Sequence, residues 1–189
     1  MHKKLPIFYI FVDKYNREIF KNKNLNIGVI YRNYNDNNRL IELIKIAKAC
    51  KRNRYQLFVS NDIKLALKVK ANGIYIPSFN KTFKHIKKEN KNLLILGSAH
   101  NQWEINEKMR QNCSGIFLSP VFQIKKKREF LNLYKFNLLA NYNNTNIFAL
   151  GGINENNINK LRLLSIKGFG GISIFKKKTG LKKGRFFKV

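Results

Sequence analysis

The feature that most constrains this chain is a repeated alternation: a short apolar run, a polar connection, then a stretch whose apolar residues recur at helical spacing. Leu5–Val12 is the first run, continuous and rich in aromatics, as in a strand covered on both faces. Leu25–Arg32, Tyr55–Val59, Gly73–Pro77, Leu93–Gly97, Gly115–Leu118, Ile147–Leu150 and Gly168–Ile174 repeat the theme. Between them, Leu40, Ile41, Leu43, Ile44, Ala47 and Ala49 predict a helix from Arg39 to about Lys51. Ile63, Leu65, Ala66, Leu67 and Val69 predict another, with Asn61-Asp62 where an N-cap belongs. Lys81–Lys91 is helix-compatible, Asn101–Gln111 and Phe130–Ala140 read as helices, and Asn154 starts one carrying Ile158, Leu161 and Leu164 on one stripe. Only a weak helical turn joins the first two strands.

About eight short strands alternating with helices is the parallel α/β pattern. A closed βα barrel of the TIM type and an open doubly wound sheet both fit the count, and a single parallel βα (TIM-type) barrel is the fold expected. No G-x-G-x-x-G follows the first strand, which weakens a dinucleotide-binding reading. At 189 residues the chain suits one domain over residues 1–189, with little to spare for a closed barrel. The basic stretch after Ile174 suggests a shortened C-terminal end, its eighth helix missing or replaced by irregular chain.

The formal charge of +28 raises the question of nucleic acid. The lysines, however, are spread through the chain beside many Asn and Ile residues, as drift in an AT-rich genome produces. The densest runs, Lys125–Arg128, Lys176–Lys178 and Lys182–Arg185, follow strand ends or lie in the tail and not along one helix face. No specific nucleic-acid partner is expected. No apolar run reaches the roughly 20 residues of a membrane helix, and Leu5–Val12 lacks a cleavage site, so a cytoplasmic protein without a membrane partner is expected. Cys50 and Cys113 stand in unrelated contexts and read as ordinary buried thiols. A homo-oligomer is compatible with the sequence, which does not set the number of copies.

Gly151-Gly152 closes the seventh strand, and Gly170-Gly171 lies in the eighth. Without Cβ atoms, such turns let backbone N–H groups approach an anion closely. Glycine pairs also end strands merely to turn a corner, and alone this pair reads either way. In a barrel, the loops after the last two strands are where substrate phosphates commonly sit, which favours a phosphate cradle.

Taken in order, the strand ends resemble the thiamine phosphate synthase family, with its thiazole tautomerase relatives, over nearly the whole chain. The resemblance rests on Tyr31-Arg32, on Ser60-Asn61-Asp62 followed by Ala66 and Ala71-Asn72-Gly73-Ile74-Tyr75-Ile76, and on Gly97-Ser98-Ala99-His100-Asn101. Ser119-Pro120-Val121-Phe122 leading to Lys127, and Ala149-Leu150-Gly151-Gly152-Ile153, complete it. It implies a transferase that joins hydroxymethylpyrimidine diphosphate to a thiazole phosphate, releasing pyrophosphate and forming thiamine phosphate. It further implies that Arg32, Asn61 and Lys127 bind the diphosphate, with Arg32 and Lys127 catalytic. Asp62 would hold Mg²⁺, and Gly151 and Gly152 would offer N–H groups to the thiazole phosphate. Capping a helix is the competing role for Asp62.

The chain also departs from that pattern. Where the family usually has glutamine two residues before the arginine and lysine two after it, this chain has Ile30 and Tyr34. The second metal carboxylate is Asn80, a neutral and weaker ligand for Mg²⁺. A threonine of the sixth loop is Ile124, and Lys176 replaces a phosphate-binding serine at the eighth strand end, where its charge could compensate. In the tautomerase branch a histidine stands where this chain has Pro120. His100, near the fifth strand end, could substitute or contact substrate, or simply be a solvated or capping side chain. The alternatives are therefore a tautomerase-like enzyme or a non-catalytic phosphate-ligand-binding homologue.

Overall fold

The computed structural model describes residues 4–20, 26–34, 38–82, 92–124 and 129–172. Its strands are β1 (Phe8–Val12), β2 (Ile27–Tyr31), β3 (Gln56–Ser60), β4 (Gly73–Ile76), β5 (Leu94–Ala99), β6 (Gly115–Leu118), β7 (Ile147–Ala149) and β8 (Gly168–Gly171). Helices α1 (Arg39–Asn53), α2 (Ile63–Lys68), α3 (Gln102–Arg110) and α4 (Asn132–Tyr142) alternate with them. Short 3-10 helices fill Arg17–Phe20, the weak turn after β1, and Ile158–Leu163. All neighbouring strands are parallel, and β8 returns to β1 through Phe8↔Phe169, Tyr9↔Gly170 and Ile10↔Gly171. The sheet is a closed barrel, and the open alternative falls away.

Several element ends differ from expectation for local reasons. β1 starts at Phe8 and not at Leu5, because Pro6 has no N–H to give the ladder. α4 starts two residues late, at Asn132, which takes a left-handed φ of 51° and accepts the Lys135 N–H with its side chain (3.0 Å), a local turn that sets where the helix begins. After Asn154 the chain forms a 3-10 helix. Asn157 Oδ1 accepts the Asn154 N–H (2.8 Å) and Asn154 Oδ1 the Asn156 N–H (2.9 Å), local bonds that compete with an α-helical start. The expected helix over Lys81–Lys91 lies almost entirely outside the described residues, as do residues 173 and 174 of the expected last strand.

Strand alternation divides the core in two. Phe8, Ile10 and Val12 face the helices with Ile27, Val29 and Tyr31, while Tyr9 and Phe11 face inward with Ile30, Phe58, Tyr75, Leu96, Phe117 and Phe148. The interior is a stack of rings: Tyr9 meets Phe117 and Phe148 edge-on at 4.9 and 5.0 Å, and Phe11 meets Tyr75 at 5.4 Å. Such pairs contribute about 0.5–1.5 kcal/mol each beyond their burial. Large rings fit because Gly28 leaves room; a Cβ there would stand 2.5 Å from the Tyr9 ring. Burial pushes the Tyr9 phenol and the Cys50 thiol up in pKa and, against the opposing charge of Lys108, the Cys113 thiol to about 12, so these groups stay neutral. Phe11 is the floor of the barrel mouth.

Candidate active site

Parallel strands place every C-terminal end at one mouth, so the residue after each strand is a site candidate. Among the described residues two cavities open there, of about 580 Å³ and about 430 Å³. The larger lies against Gly151, Gly152, Gly171, Pro120, Gln123 and Ile124. The smaller lies among Asp13, Tyr34, Tyr75, Ser78, Phe79 and Ser98. Arg32, His100, Ser119 and Leu150 border both.

Arg32 follows β2 directly, its N–H bonded to the Val12 carbonyl (2.9 Å). Its guanidinium lies over the Phe11 ring at 5.5 Å, and Nη2 donates to Asp13 Oδ2 at 3.1 Å. Nε has no partner among the described residues. A cation stacked on an aromatic floor and shared by two cavities suits an anion held between them. His100 is oriented just as firmly. Nδ1 stands 2.6 Å from the Ser119 carbonyl, which can only accept, so Nδ1 carries the proton. Nε2 stands 3.3 Å from Ser78 Oγ. The α3 N-terminus fixes the backbone, since Glu104 accepts the His100 N–H (2.7 Å) and Asn101 the Glu104 N–H (2.9 Å).

Gly151 and Gly152 have φ of 90° and 73°. A Cβ on Gly151 would stand 2.8 Å from Pro120 Cα, and one on Gly152 2.5 Å from the Phe122 carbonyl oxygen. The pair therefore serves the corner and the close approach of the β6 loop, whose Val121 and Phe122 N–H groups bond the Leu150 and Gly151 carbonyls. It also serves the cavity it borders, because among the described residues the Gly151 and Gly152 N–H groups have no hydrogen-bond partner. Asn154 and Asn157 both donate to the Gly152 carbonyl (3.2 and 2.8 Å). A trans peptide then points the Ile153 N–H the opposite way, away from those side chains. Ile153 lines the larger cavity.

Asn61 and Asp62 do not line either cavity. Asn61 takes a left-handed φ of 55°, donates its N–H to the Tyr75 carbonyl (2.9 Å), and accepts from Asn80 Nδ2. Asp62 caps α2, with Oδ1 accepting the Leu65 N–H (2.9 Å) and Oδ2 meeting Arg39 Nη1 (3.1 Å). Lys127 and Lys176 lie outside the described residues.

A family model described as thiamine monophosphate synthase matches residues 22–175, spanning most of these strand ends. The chain belongs to the thiamine monophosphate synthase family. Thiamine-phosphate synthase of Prochlorococcus marinus subsp. pastoris is 34% identical over 135 residues, 70% of this chain and 38% of that protein. The Pediococcus pentosaceus thiamine-phosphate synthase is 27% identical over 160 residues, 79% of this chain and 74% of its own length. The chain thus spans well under half of the Prochlorococcus relative. Thiamine phosphate pyrophosphorylase from Pyrococcus furiosus superposes with a TM-score of 0.75 at 20% identity, covering 94% of this chain and 91% of that one, a likeness of fold.

Asp13 could have been found by the strand-end rule alone, since it follows β1 directly. Tyr34 and Phe79 meet edge-on at 6.1 Å across the smaller cavity, from loops 45 positions apart, and no local pattern announces that pair. Nor does one announce the Arg39 and Asp62 pair, 23 positions apart. That pair bears on the Mg²⁺ the resemblance implies. Asp62 has both oxygens engaged, Asn80 is neutral, and among the described residues no three His, Cys, Asp or Glu side chains group as metal ligands. This donor set does not fit a preassembled Mg²⁺ site, which prefers near-octahedral oxygen ligands.

Proposed function

We propose that this chain is a thiamine phosphate synthase, joining a hydroxymethylpyrimidine diphosphate to a thiazole phosphate. The observation that carries this reading is the pair of cavities meeting at Arg32, one edged by uncommitted glycine amides and one by aromatic rings and small hydroxyls. The thiazole phosphate sits in the larger, its phosphate oxygens taking N–H bonds from Gly151, Gly152 and Ile153. The pyrimidine lies in the smaller, among Tyr34, Tyr75 and Phe79, with Ser78 and Ser98 at its polar edge.

The chemistry then needs little from the protein except placed charge. The bond between the pyrimidine methylene carbon and the diphosphate oxygen breaks, its electron pair leaving with oxygen. Arg32 meets the growing negative charge, with Lys127 proposed to share that role on the resemblance. The thiazole nitrogen donates its lone pair to the methylene carbon, giving thiamine phosphate and pyrophosphate. Holding both partners in contact distance across the shared wall supplies the proximity such a displacement requires. No helix among the described residues is long and apolar enough to cross a membrane, compatible with a cytoplasmic site for this reaction.

A second reading, thiazole tautomerase-like proton transfer, is favoured by the position of His100, which borders both cavities and is oriented by the Ser119 carbonyl and the Ser78 hydroxyl. Pyrophosphate release distinguishes the two. With both substrates saturating, the synthase reading expects release that needs both; release from neither mixture, with proton exchange into the thiazole, supports the tautomerase.

A further inference from the structure

The corner between β2 and β4 holds a cation of its own where the family resemblance expects an added one. Arg39, the first residue of α1, donates Nη1 to Asp62 Oδ2 at 3.1 Å and Nη2 to the Ser60 carbonyl at 2.6 Å. Its guanidinium lies 5.6 Å from the Tyr31 ring and 5.9 Å from the Tyr34 ring, and its side chain is 14% exposed. A carboxylate, a carbonyl and two aromatic faces fix it far more tightly than an ordinary surface pair.

The other oxygens of this corner are also committed. Asp62 Oδ1 caps α2, Asn61 Oδ1 accepts from Asn80, and Asn80 Oδ1 accepts the Thr82 N–H at 2.9 Å. Beneath the same loop, fully buried Lys108 donates Nζ to the Asn80 carbonyl at 2.6 Å, and Gln111 Nε2 bonds the Asn80 and Thr82 carbonyls at 3.1 and 3.0 Å. A divalent cation would have to displace the guanidinium from Asp62, strand a partly buried Arg39, and approach a second fixed cation. The neutral Asn80 supplies no charge to offset that.

We infer that Arg39 takes the place of a divalent cation at Asp62, so that this corner is neutralised by the chain itself and a diphosphate ligand binds without an added metal ion. Arg39 is a positioning residue in this account: it satisfies Asp62 and holds Tyr34, which lines the smaller cavity, while Arg32 meets the ligand. The inference rests on the synthase reading only for the identity of the ligand.

Mn²⁺, a paramagnetic stand-in for Mg²⁺, titrated into the intact protein and followed by electron paramagnetic resonance, tests this without turnover. The expected result is no site tighter than about 1 mM, weaker than most purpose-built cation sites. Arg39→Gln frees Asp62 Oδ2 and should tighten Mn²⁺ binding by about tenfold or more, Asn80→Asp on that background further, and Asp62→Asn should abolish the gain. Arg39→Lys keeps the charge and should stay metal-free, whereas a purely structural arginine would change only the melting temperature. Submillimolar Mn²⁺ binding by the intact protein, lost in Asp62→Asn, would overturn the inference even if Arg39→Gln failed to fold. Calorimetry of pyrophosphate with intact protein provides the second arm. Affinity equal within about twofold in chelator and in Mg²⁺ is expected, and a tenfold gain with Mg²⁺ contradicts it. Failure of the synthase reading would show as absent pyrophosphate release and leave the Mn²⁺ result standing.

Discussion

In the proposed function the two sides of the barrel mouth would each hold an anion, by opposite means. Around β7 and β8 the chain removes side chains: glycines at φ of 90° and 73° bring backbone N–H groups to the cavity edge, and Asn154 and Asn157 hold the Gly152 carbonyl. Around β2 to β4 it adds side chains and pairs them in advance, Arg32 with Asp13 and Arg39 with Asp62. Backbone amides are fixed donors that need no counter-charge. Guanidinium groups carry full charge and need a carboxylate to hold them in position until the ligand arrives. The comparison teaches that the charged side should set the rate and the glycine side the fit of the second substrate.

Removing the charged side should therefore have the largest effect. Arg32→Ala is expected to lower turnover by about a hundredfold or more, as with loss of other preorganised donors to a developing anion. Steady-state kinetics should show the loss in kcat, with the KM for thiazole phosphate little changed; a loss confined to KM would mean that both sides merely bind. The glycine side should respond in the reverse sense. Gly152→Ala puts a Cβ within 2.5 Å of the Phe122 carbonyl oxygen at a φ of 73°. It should cost about 1–3 kcal/mol of stability and raise the KM for thiazole phosphate more than it lowers kcat. Denaturant melts beside the kinetics separate the two consequences.

The legible part of the fold follows the same division. Strand periodicity, the Asn61-Asp62 cap and the glycine corner are local, and each carries its own pattern in the chain. Arg32 was legible because it follows β2 directly. The barrel was expected from the ordered strand ends taken together and not from any one of them, because the Phe8↔Phe169 pairing that closes it joins the two ends of the chain and no local residue announces it. The 3-10 helix at Ile158–Leu163 was hidden behind an apolar stripe that suits either helix, its form set by asparagine side chains bonding nearby backbone. The Arg39 partnership with Asp62 depends on α1 and α2 being side by side, which only the assembled barrel brings about.

That partnership changes what Asp62→Asn should do. Asparagine caps a helix about as well as aspartate, so the loss comes from the ion pair with Arg39, about 1–2 kcal/mol for a partly buried pair. Thermal melts check this, and an unchanged melting temperature would make Asp62 a cap alone. The smallest effect belongs to Glu42 of α1. Lys45 (2.8 Å) and then the Tyr15 N–H (2.9 Å) hold its carboxyl below the ordinary glutamate range. A lowered folded value means the contribution is present above the unfolded pKa and is lost as pH falls through the folded one. Stability of the intact protein should fall slightly more on acidification than that of Glu42→Gln, and parallel curves would remove Glu42 from the account.

The most direct test of the central claim, that the two cavities bring two phosphorylated partners together at Arg32, is product formation itself. Purified intact protein mixed with hydroxymethylpyrimidine diphosphate and thiazole phosphate should yield thiamine phosphate by mass spectrometry, with pyrophosphate in equal amount and neither product when one substrate is left out. No thiamine phosphate with both substrates saturating, in chelator and in Mg²⁺ alike, would contradict the claim and leave a barrel that binds phosphates without joining them.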